Sequence, residues 1–299
     1  DEITLLSNVS VTEKIVIDKS LTINGANKVI SGVSNDSSVY FEITGGTVDI
    51  KNVTVQNFGD AAPTNSGIAV FKVPSGSYGV SLNVESVTVK NFCRSAFDLR
   101  AGSFSISNST IDCNNSAAGA SNSKLTKGVL AGLGTSAVTG SIENTSITNS
   151  NSNYADWSSS GVEVYQGATV TITGGSITNV ANGLHVDNYY TGTVSGAEVT
   201  IGGTTVTASN AAARVYGTDS TNPGTGKITV AGGKLTGAIG YYGDQTGSTF
   251  VIPGTGHFTS DPTAFLSEDS DLMVITGTES GYAYSVVEKE ANAAEVSTA

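Results

Sequence analysis

Length, composition and charge already exclude several classes of protein. The chain has 299 residues, with 14 Lys and Arg against 26 Asp and Glu, and hence a formal net charge of −12. Its basic residues are scattered, which argues against nucleic acid as a partner because a phosphate backbone is bound by clustered cations. Its apolar runs are far shorter than the ~20 residues of a membrane-spanning helix, so we expect no membrane insertion. Its 36 Gly, with abundant Ser, Thr and Asn, indicate many short strands.

An internal repeat organises the chain. One apolar residue is followed five positions later by another, and this pair recurs as Ile50/Val55, Val84/Val89, Ile106/Ile111, Ile142/Ile147, Ile172/Ile177, Ile201/Val206 and Val230/Leu235. The first members of successive pairs lie 22 to 36 residues apart. A unit of this length made of short strands cannot bury its apolar face alone, so we expect the copies to stack.

A second strand lies between these pairs and begins at a small residue. It spans 67–71, 95–100, 128–133, 161–165, 183–187, 212–216 and 237–242. Alternation with a period of two predicts strands with one buried face, and the Gly, Asn and Ser between them supply turns. The sequence shows no sustained helical stripe, so we expect no helices in the body of the fold.

These patterns predict an all-β fold, a right-handed parallel β-helix (β-solenoid) of about nine coils. Asparagines at matching turn positions can bond from coil to coil through their amides. They form two sets, Asn52, Asn108 and Asn144, and Asn57, Asn91, Asn149 and Asn179. With these features, the sequence from Ile15 to Phe258 resembles the pectate-lyase-like superfamily architecture and bacterial cell-surface, adhesin-like β-helix proteins.

The two ends of the chain differ from its body. We assign residues 1–258 to the β-helix, with residues 1–20 as an N-terminal cap over the first coil, and residues 259–299 to a C-terminal cap or tail. The segments beginning at Gly256 and Gly281 resemble the carboxy-terminal portion of large surface proteins of gut bacteria. Together with the low Lys and Arg content, this resemblance implies a secreted or cell-surface protein. Cys93 and Cys113 either form a disulfide between neighbouring coils or are two buried thiols.

Motifs of known β-helix enzymes are absent from the sequence. It contains neither the Arg-x-Pro-x-x-Arg element of pectate lyases nor the Asn-Thr-Asp, Asp-Asp and Gly-His-Gly set of polygalacturonases. A phosphate-binding Gly-rich loop, Cys/His metal-ligand spacing and a nucleophile elbow are absent too. We therefore expect no cofactor and no metal, and the sequence favours binding over catalysis.

Ionisable and aromatic residues concentrate on the outward positions of the second strand. If Phe97, Leu99 and their equivalents point inward, one outward column reads Asp98, Leu130, Glu163, His185, Arg214 and Gly240, and its neighbour reads Arg100, Gly132, Tyr165, Asp187, Tyr216 and Tyr242. Flat rings stack on sugars, and carboxylates and guanidinium groups hold hydroxyls or acids. The predicted ligand-binding residues are Asp98, Arg100, Glu163, Tyr165, His185, Asp187, Arg214, Tyr216 and Tyr242, with Tyr154, Trp157, Tyr189 and Tyr190 as a rim.

The columns allow several interpretations. The first is a protein that binds polysaccharide or host glycan without turnover. The second is a polysaccharide lyase or glycoside hydrolase that uses Glu163, His185, Asp187 and Arg214. The third is a structural spacer of a larger surface protein. In a separate interpretation, the charges of the columns form only a solvated salt-bridge ladder without a binding role. Arg214 either binds the carboxylate of an acidic sugar or neutralises Glu163 or Asp187.

Overall fold

The structure is a computed structural model, and it describes residues 1–32, 40–58, 69–92, 94–113, 127–150, 159–187, 196–217, 225–243, 247–268, 270–277 and 279–289. The fold is all-β. The described residues up to Glu288 contain no α-helix and one short 3-10 helix, Thr263–Phe265. A search of the described part of the chain finds no helix with the length and apolar character needed to cross a bilayer.

Twenty-six strands follow one another along the described chain. In chain order they are β1 (Glu2–Thr4), β2 (Val9–Val11), β3 (Ile15–Ile17), β4 (Leu21–Gly32), β5 (Phe41–Ile43), β6 (Thr47–Phe58), β7 (Ala69–Val73), β8 (Ser81–Glu85), β9 (Thr88–Phe92), β10 (Ser95–Leu99), β11 (Gly102–Ser107), β12 (Thr110–Asp112), β13 (Lys127–Ala131), β14 (Val138–Glu143), β15 (Ser146–Thr148), β16 (Ser160–Val164), β17 (Ala168–Thr173), β18 (Ser176–Asp187), β19 (Ala197–Gly202), β20 (Thr204–Gly217), β21 (Gly226–Val230), β22 (Gly233–Gly243), β23 (Thr249–Val251), β24 (Gly256–Phe258), β25 (Leu272–Thr276) and β26 (Tyr284–Glu288).

The strands form three parallel ladders, because each strand pairs with its counterpart in the next repeat. Ladder A contains β1, β8, β11, β14, β17, β19, β21 and β23. Ladder B contains β2, β9, β12, β15 and β24, and ladder C contains β3, β5, β7, β10, β13 and β16. The long strands β4 and β6 run from ladder A into ladder B, and β18, β20 and β22 run from B into C. This is a parallel β-solenoid-like sheet.

The predicted apolar pairs occupy adjacent ladders in the predicted register. Ile50 pairs in turn with Val84, and the series continues through Ile106, Ile142, Ile172 and Ile201 to Val230. The second members form the matching series in ladder B, from Val55 to Leu235. Nearly all of these side chains are within 2% of complete burial. Burial of apolar area at about 25 cal/mol per Å² therefore drives the stacking.

An earlier coil escaped the five-residue pattern. Ile23 pairs with Ile50 and Ile30 pairs with Val55, but these two isoleucines are seven positions apart. The extra residues sit in an irregularity of β4, where Ala26 and Asn27 have positive φ angles. The insertion keeps both isoleucines in the core, but a search for apolar residues five positions apart does not find them.

The turn asparagines act mainly through their backbone. Asn52, Asn108 and Asn144 have φ angles between 46° and 53°, the left-handed region that Asn tolerates better than most residues. The amide contact between coils is confirmed for Asn91, whose Nδ2 donates to Oδ1 of Asn57 at 2.7 Å. Asn52, Asn108 and Asn144 thus form the corner of their coils, which Ser86, Gly174 and Gly203 form in others.

The two ends of the stack are built differently. Residues 1–20, expected from the sequence to cap the first coil, contribute β1, β2 and β3 to the three ladders and so form the outermost coil themselves. Leu6 is 90% exposed there, and a cavity of about 250 Å³ opens between apolar side chains. At the other end β26 pairs antiparallel with both β24 and β25, which closes ladder B with a hairpin. The domain boundary at residue 258 stays a prediction.

Cys113 is buried, and its Sγ lies 3.4 Å from the carbonyl oxygen of Phe92. Cys93 lies outside the described residues, so the choice between a disulfide and two thiols stays open.

Candidate functional site

Ladder C brings the predicted outward residues into one continuous column. Its register pairs Asp98 with Leu130, Leu130 with Glu163, Glu163 with His185, His185 with Arg214, and Arg214 with Gly240. The predicted order is thereby confirmed. The column also extends toward the N-terminus through Lys72 and Glu42. We call this set, Glu42, Lys72, Asp98, Leu130, Glu163, His185, Arg214 and Gly240, the charged column.

A second column lies two residues further along each strand. Asp187 pairs with Tyr216, and Tyr216 pairs with Tyr242. Tyr165 follows Glu163 by the same two positions, as Arg100 follows Asp98. Tyr165 and Tyr216 are half-buried, whereas Tyr242 is 57% exposed. We call Tyr165, Asp187, Tyr216 and Tyr242 the tyrosine column.

From Asp98 to Arg214 the charged column is buried, which corrects the interpretation of these charges as a solvated ladder. Asp98, Glu163, His185 and Arg214 are each no more than 6% exposed. Ionised groups in such surroundings lose hydration, so each needs a partner of opposite charge or a hydrogen bond. The two halves of the column meet this need in different ways.

The half nearer the N-terminus is fully paired. Arg100 Nε donates to Oδ1 of Asp98 at 2.8 Å, and its Nη2 donates to Oδ2 at 2.9 Å. Lys72 Nζ lies 3.6 Å from the same carboxylate. Such two-bond geometry is the strong form of an Arg–carboxylate pair, so this half reads as a structural ion cluster.

Glu163, in the middle of the column, is held as an anion. Its carboxylate receives a hydrogen bond from the Tyr165 hydroxyl and forms an ion pair with Lys127. Burial alone would raise the pKa of Glu163, but Lys127, with help from His185 and Tyr165, lowers it below the ordinary value. Burial and the Glu163 charge in turn raise the pKa of Tyr165, which keeps its hydroxyl protonated as a donor.

His185 is a buried, neutral imidazole. Burial, reinforced by the positive charges of Arg214 and Lys127, lowers the pKa of His185 to about 4 despite the nearby Glu163. Neither ring nitrogen forms a hydrogen bond with a described residue. The nearest carboxylate oxygen recorded for it is Oδ2 of Asp187, 3.9 Å from Nε2, which is too long for a hydrogen bond.

Arg214 has donors without acceptors. Its Nε and Nη2 are buried and form no hydrogen bond within the described part of the chain. No direct ion pair joins it to Glu163 or Asp187, but both carboxylates act on it electrostatically, so the interpretation that Arg214 neutralises one of them stays open. Its guanidinium carbon instead lies 5.3 Å from the ring centroid of Tyr216 and 5.4 Å from that of Tyr242. The two tyrosine rings are 5.1 Å apart and nearly parallel, at 4°.

Two members of the site escaped the sequence analysis. Lys72 and Lys127 each lie one residue outside the strand limits predicted at Phe71 and Gly128. Extending those strands by one residue would have placed Lys72 beside Asp98 in the charged column. The predicted rim residues Tyr154, Trp157, Tyr189 and Tyr190 lie outside the described residues.

Comparisons with known proteins give no family. No protein-family model matches the chain, and no curated protein or solved structure matches it. The resemblance to pectate-lyase-like and adhesin-like proteins therefore stays a prediction, and the binding role of the two columns is a matter for proposal.

Proposed function

We propose that this chain is an exported or cell-surface bacterial protein that binds polysaccharide or host glycan along the tyrosine column, adhesin-like and without turnover. The same proposal includes right-handed winding in about nine coils. The observation that carries it is the stacked pair of Tyr216 and Tyr242, which is partly exposed beside a buried arginine. Aromatic rings with accessible edges or faces are the usual platforms for sugar rings.

The arrangement of the column suits a linear ligand. Tyr165, Asp187, Tyr216 and Tyr242 follow one another on successive coils about 4.8 Å apart, so their row runs along the axis of the stack. An extended oligosaccharide lying in this direction would meet a ring or a carboxylate at each step. Asp187, which is 7% exposed, separates Tyr165 from Tyr216 in this row.

The absence of turnover is argued from Glu163. A glycosidase needs one carboxylic acid that stays protonated to assist the leaving group. The lowered pKa of Glu163 and its ion pair with Lys127 make it a permanent anion near neutral pH. Glu163 is therefore suited to hold the strand wall together and poorly suited to act as that acid.

Binding to a panel of neutral and acidic oligosaccharides tests the proposal. We expect Tyr216→Ala and Tyr242→Ala to weaken binding about tenfold or more, because each removes a stacking surface. Thr178→Ala on ladder B is the matched control, since Thr178 only donates to Thr148 at 3.1 Å. If no oligosaccharide binds, or if the control loses as much affinity as the tyrosine variants, the proposal is wrong and the structural spacer takes its place.

One observation favours a second candidate, a polysaccharide lyase. His185 has no hydrogen-bond partner among the described residues, so a ring nitrogen is free to accept a proton, but its pKa of about 4 makes it a weak base in the absence of substrate. An unsaturated product that absorbs in the ultraviolet would report such an elimination. Turnover that is lost in His185→Phe and kept in Thr178→Ala would replace binding without turnover by catalysis.

A further inference from the structure

The N–H groups of Arg214 that have no acceptor among the described residues lie together on one edge of its guanidinium group. Nε and Nη2, its two buried donors without a described partner, lie on one edge of the guanidinium. Two parallel N–H groups on that edge match the spacing of the two oxygens of a carboxylate. Arg214 is 6% exposed, so water satisfies these donors poorly.

Arg100 shows what this edge does when it is occupied. The same two atoms of Arg100 donate to the two carboxylate oxygens of Asp98, at 2.8 and 2.9 Å. Asp98 precedes Arg100 by two residues on the same outward side of the strand. The position two residues before Arg214 is Ala212, and the one two residues after it is Tyr216. Neither side chain offers a carboxylate.

The neighbouring coils do not supply the missing anion either. Arg214 pairs with His185 on one side and Gly240 on the other. His185 is a neutral donor or acceptor, and Gly240 has no side chain. Asp187, on the coil of His185, acts on Arg214 electrostatically, but no hydrogen bond or ion pair joins the two side chains. Glu163 is one coil further away and is already engaged by Lys127 and Tyr165. Within the described residues, Arg214 is thus a buried cation whose bidentate edge is vacant.

We propose that the Nε/Nη2 edge of Arg214 binds a carboxylate of the ligand, which makes the ligand an acidic glycan of the uronic-acid type. This inference rests on the proposed function and specifies its substrate class. Tyr216 and Tyr242 flank the guanidinium, so the sugar ring that carries the carboxylate would contact the exposed Tyr242. The two-donor edge also fits tetrahedral oxyanions, so sulfate is the competing ligand that the experiment has to distinguish from a carboxylate.

A matched pair of ligands isolates the charge. Oligogalacturonate and its methyl ester share the same sugar rings, but only the first carries free carboxylates. We expect the folded wild-type chain to bind the acid at least about tenfold more tightly than the ester, by calorimetric titration. Arg214→Lys keeps the positive charge and loses the two-donor edge, so it should remove most of this preference. Thr178→Ala should keep it.

The outcomes separate this inference from the proposed function. If acid and ester bind equally and Tyr242→Ala weakens both, glycan binding stands and the carboxylate assignment is overturned. If neither binds, the proposed function fails, and the Arg214 edge is judged alone by heteronuclear NMR of its Nε–H group with galacturonic acid and with sulfate. A shift with galacturonic acid that sulfate does not reproduce, and that the Arg100 Nε–H does not show, supports the assignment. No shift, or an equal shift with sulfate, overturns it.

Discussion

Arg100 and Arg214 lie in neighbouring columns along ladder C, and among the described residues only Arg100 forms a direct ion pair with a carboxylate. Arg100 is paired with Asp98, while Arg214 packs beside Tyr216 and Tyr242 with two donors unused. The fold can therefore place a carboxylate against an arginine on this surface, and near Arg214 it does not. The contrast separates a cluster that stabilises the stack from one in which, among the described residues, the arginine has no hydrogen-bonded anion.

The largest effect is expected at the paired half. Asp98→Asn removes the one carboxylate shared by Arg100 and Lys72 and leaves two cations without it. We expect the free energy of unfolding to fall by about 3 kcal/mol, as is typical when one partner of a buried ion pair is deleted. Chemical denaturation measures it, with the exposed Glu143→Gln on ladder A as the control. A loss no greater than that of the control would show that the paired half is not structural.

The pH dependence of stability sharpens the comparison at the other half. The pKa of His185 is about 4 in the folded chain and about 6.5 in the unfolded chain. Between these values the unfolded state binds the additional proton, so stability falls as pH drops from about 6.5 to about 4, by about 3 kcal/mol in total. The lowered pKa of Glu163 adds a further loss in the same direction below its ordinary value of 4.5.

His185→Phe isolates this contribution. The variant keeps a ring against Tyr216, whose centroid lies 5.1 Å from that of His185, and removes the titrating group. The free energy of unfolding of this variant, measured by denaturation at several pH values, should then change much less between pH 6.5 and pH 4. His257→Phe, at the C-terminal end of the stack, is the matched control. An unchanged slope in His185→Phe would show that His185 does not titrate as a buried imidazole.

The smallest effect has the opposite sign. Arg214→Met replaces a buried cation that lacks an internal anion by an apolar side chain of similar length. We expect the free energy of unfolding to stay the same or to rise by about 1 to 2 kcal/mol, because a desolvated charge is lost and no ion pair is broken. Thermal denaturation without ligand measures it. A loss as large as that of Asp98→Asn would mean that Arg214 has an internal partner, and the contrast with Arg100 would be wrong.

Much of this architecture was predictable because each repeat gives a further check on the pattern of buried positions. Seven apolar pairs define two ladders, and the alternation within the second strand, with Phe97, Leu99 and their equivalents inward, gives the outward side chains of ladder C. The same argument ordered Glu163, His185 and Arg214 correctly. It missed the coil of Ile23 and Ile30, where an insertion changes the spacing without moving either side chain out of the core.

Burial of the site was not predictable in the same way. Parity distinguishes inward from outward positions, but it says nothing about whether an outward position reaches solvent. Asp98 and Glu163 point away from the core and are still 3% and 2% exposed. Pairing also depends on where long side chains end, and Lys127 reaches Glu163 from a strand position that parity assigns to the inward side.

The two ends of the stack differ in structure, so we expect unfolding to begin at one of them. In a solenoid each coil contacts only its neighbours, so fraying advances from an end. The outermost N-terminal strands have a ladder neighbour on one side only, whereas β26 ties β24 to β25 at the opposite end. Amide hydrogens should therefore exchange first in the N-terminal coil and later in each following coil. The paired half of the charged column should exchange before the half that contains His185 and Arg214. Partial unfolding from this end would break the ion pairs of Asp98 with Arg100 and Lys72 before it disturbs the surroundings of Arg214.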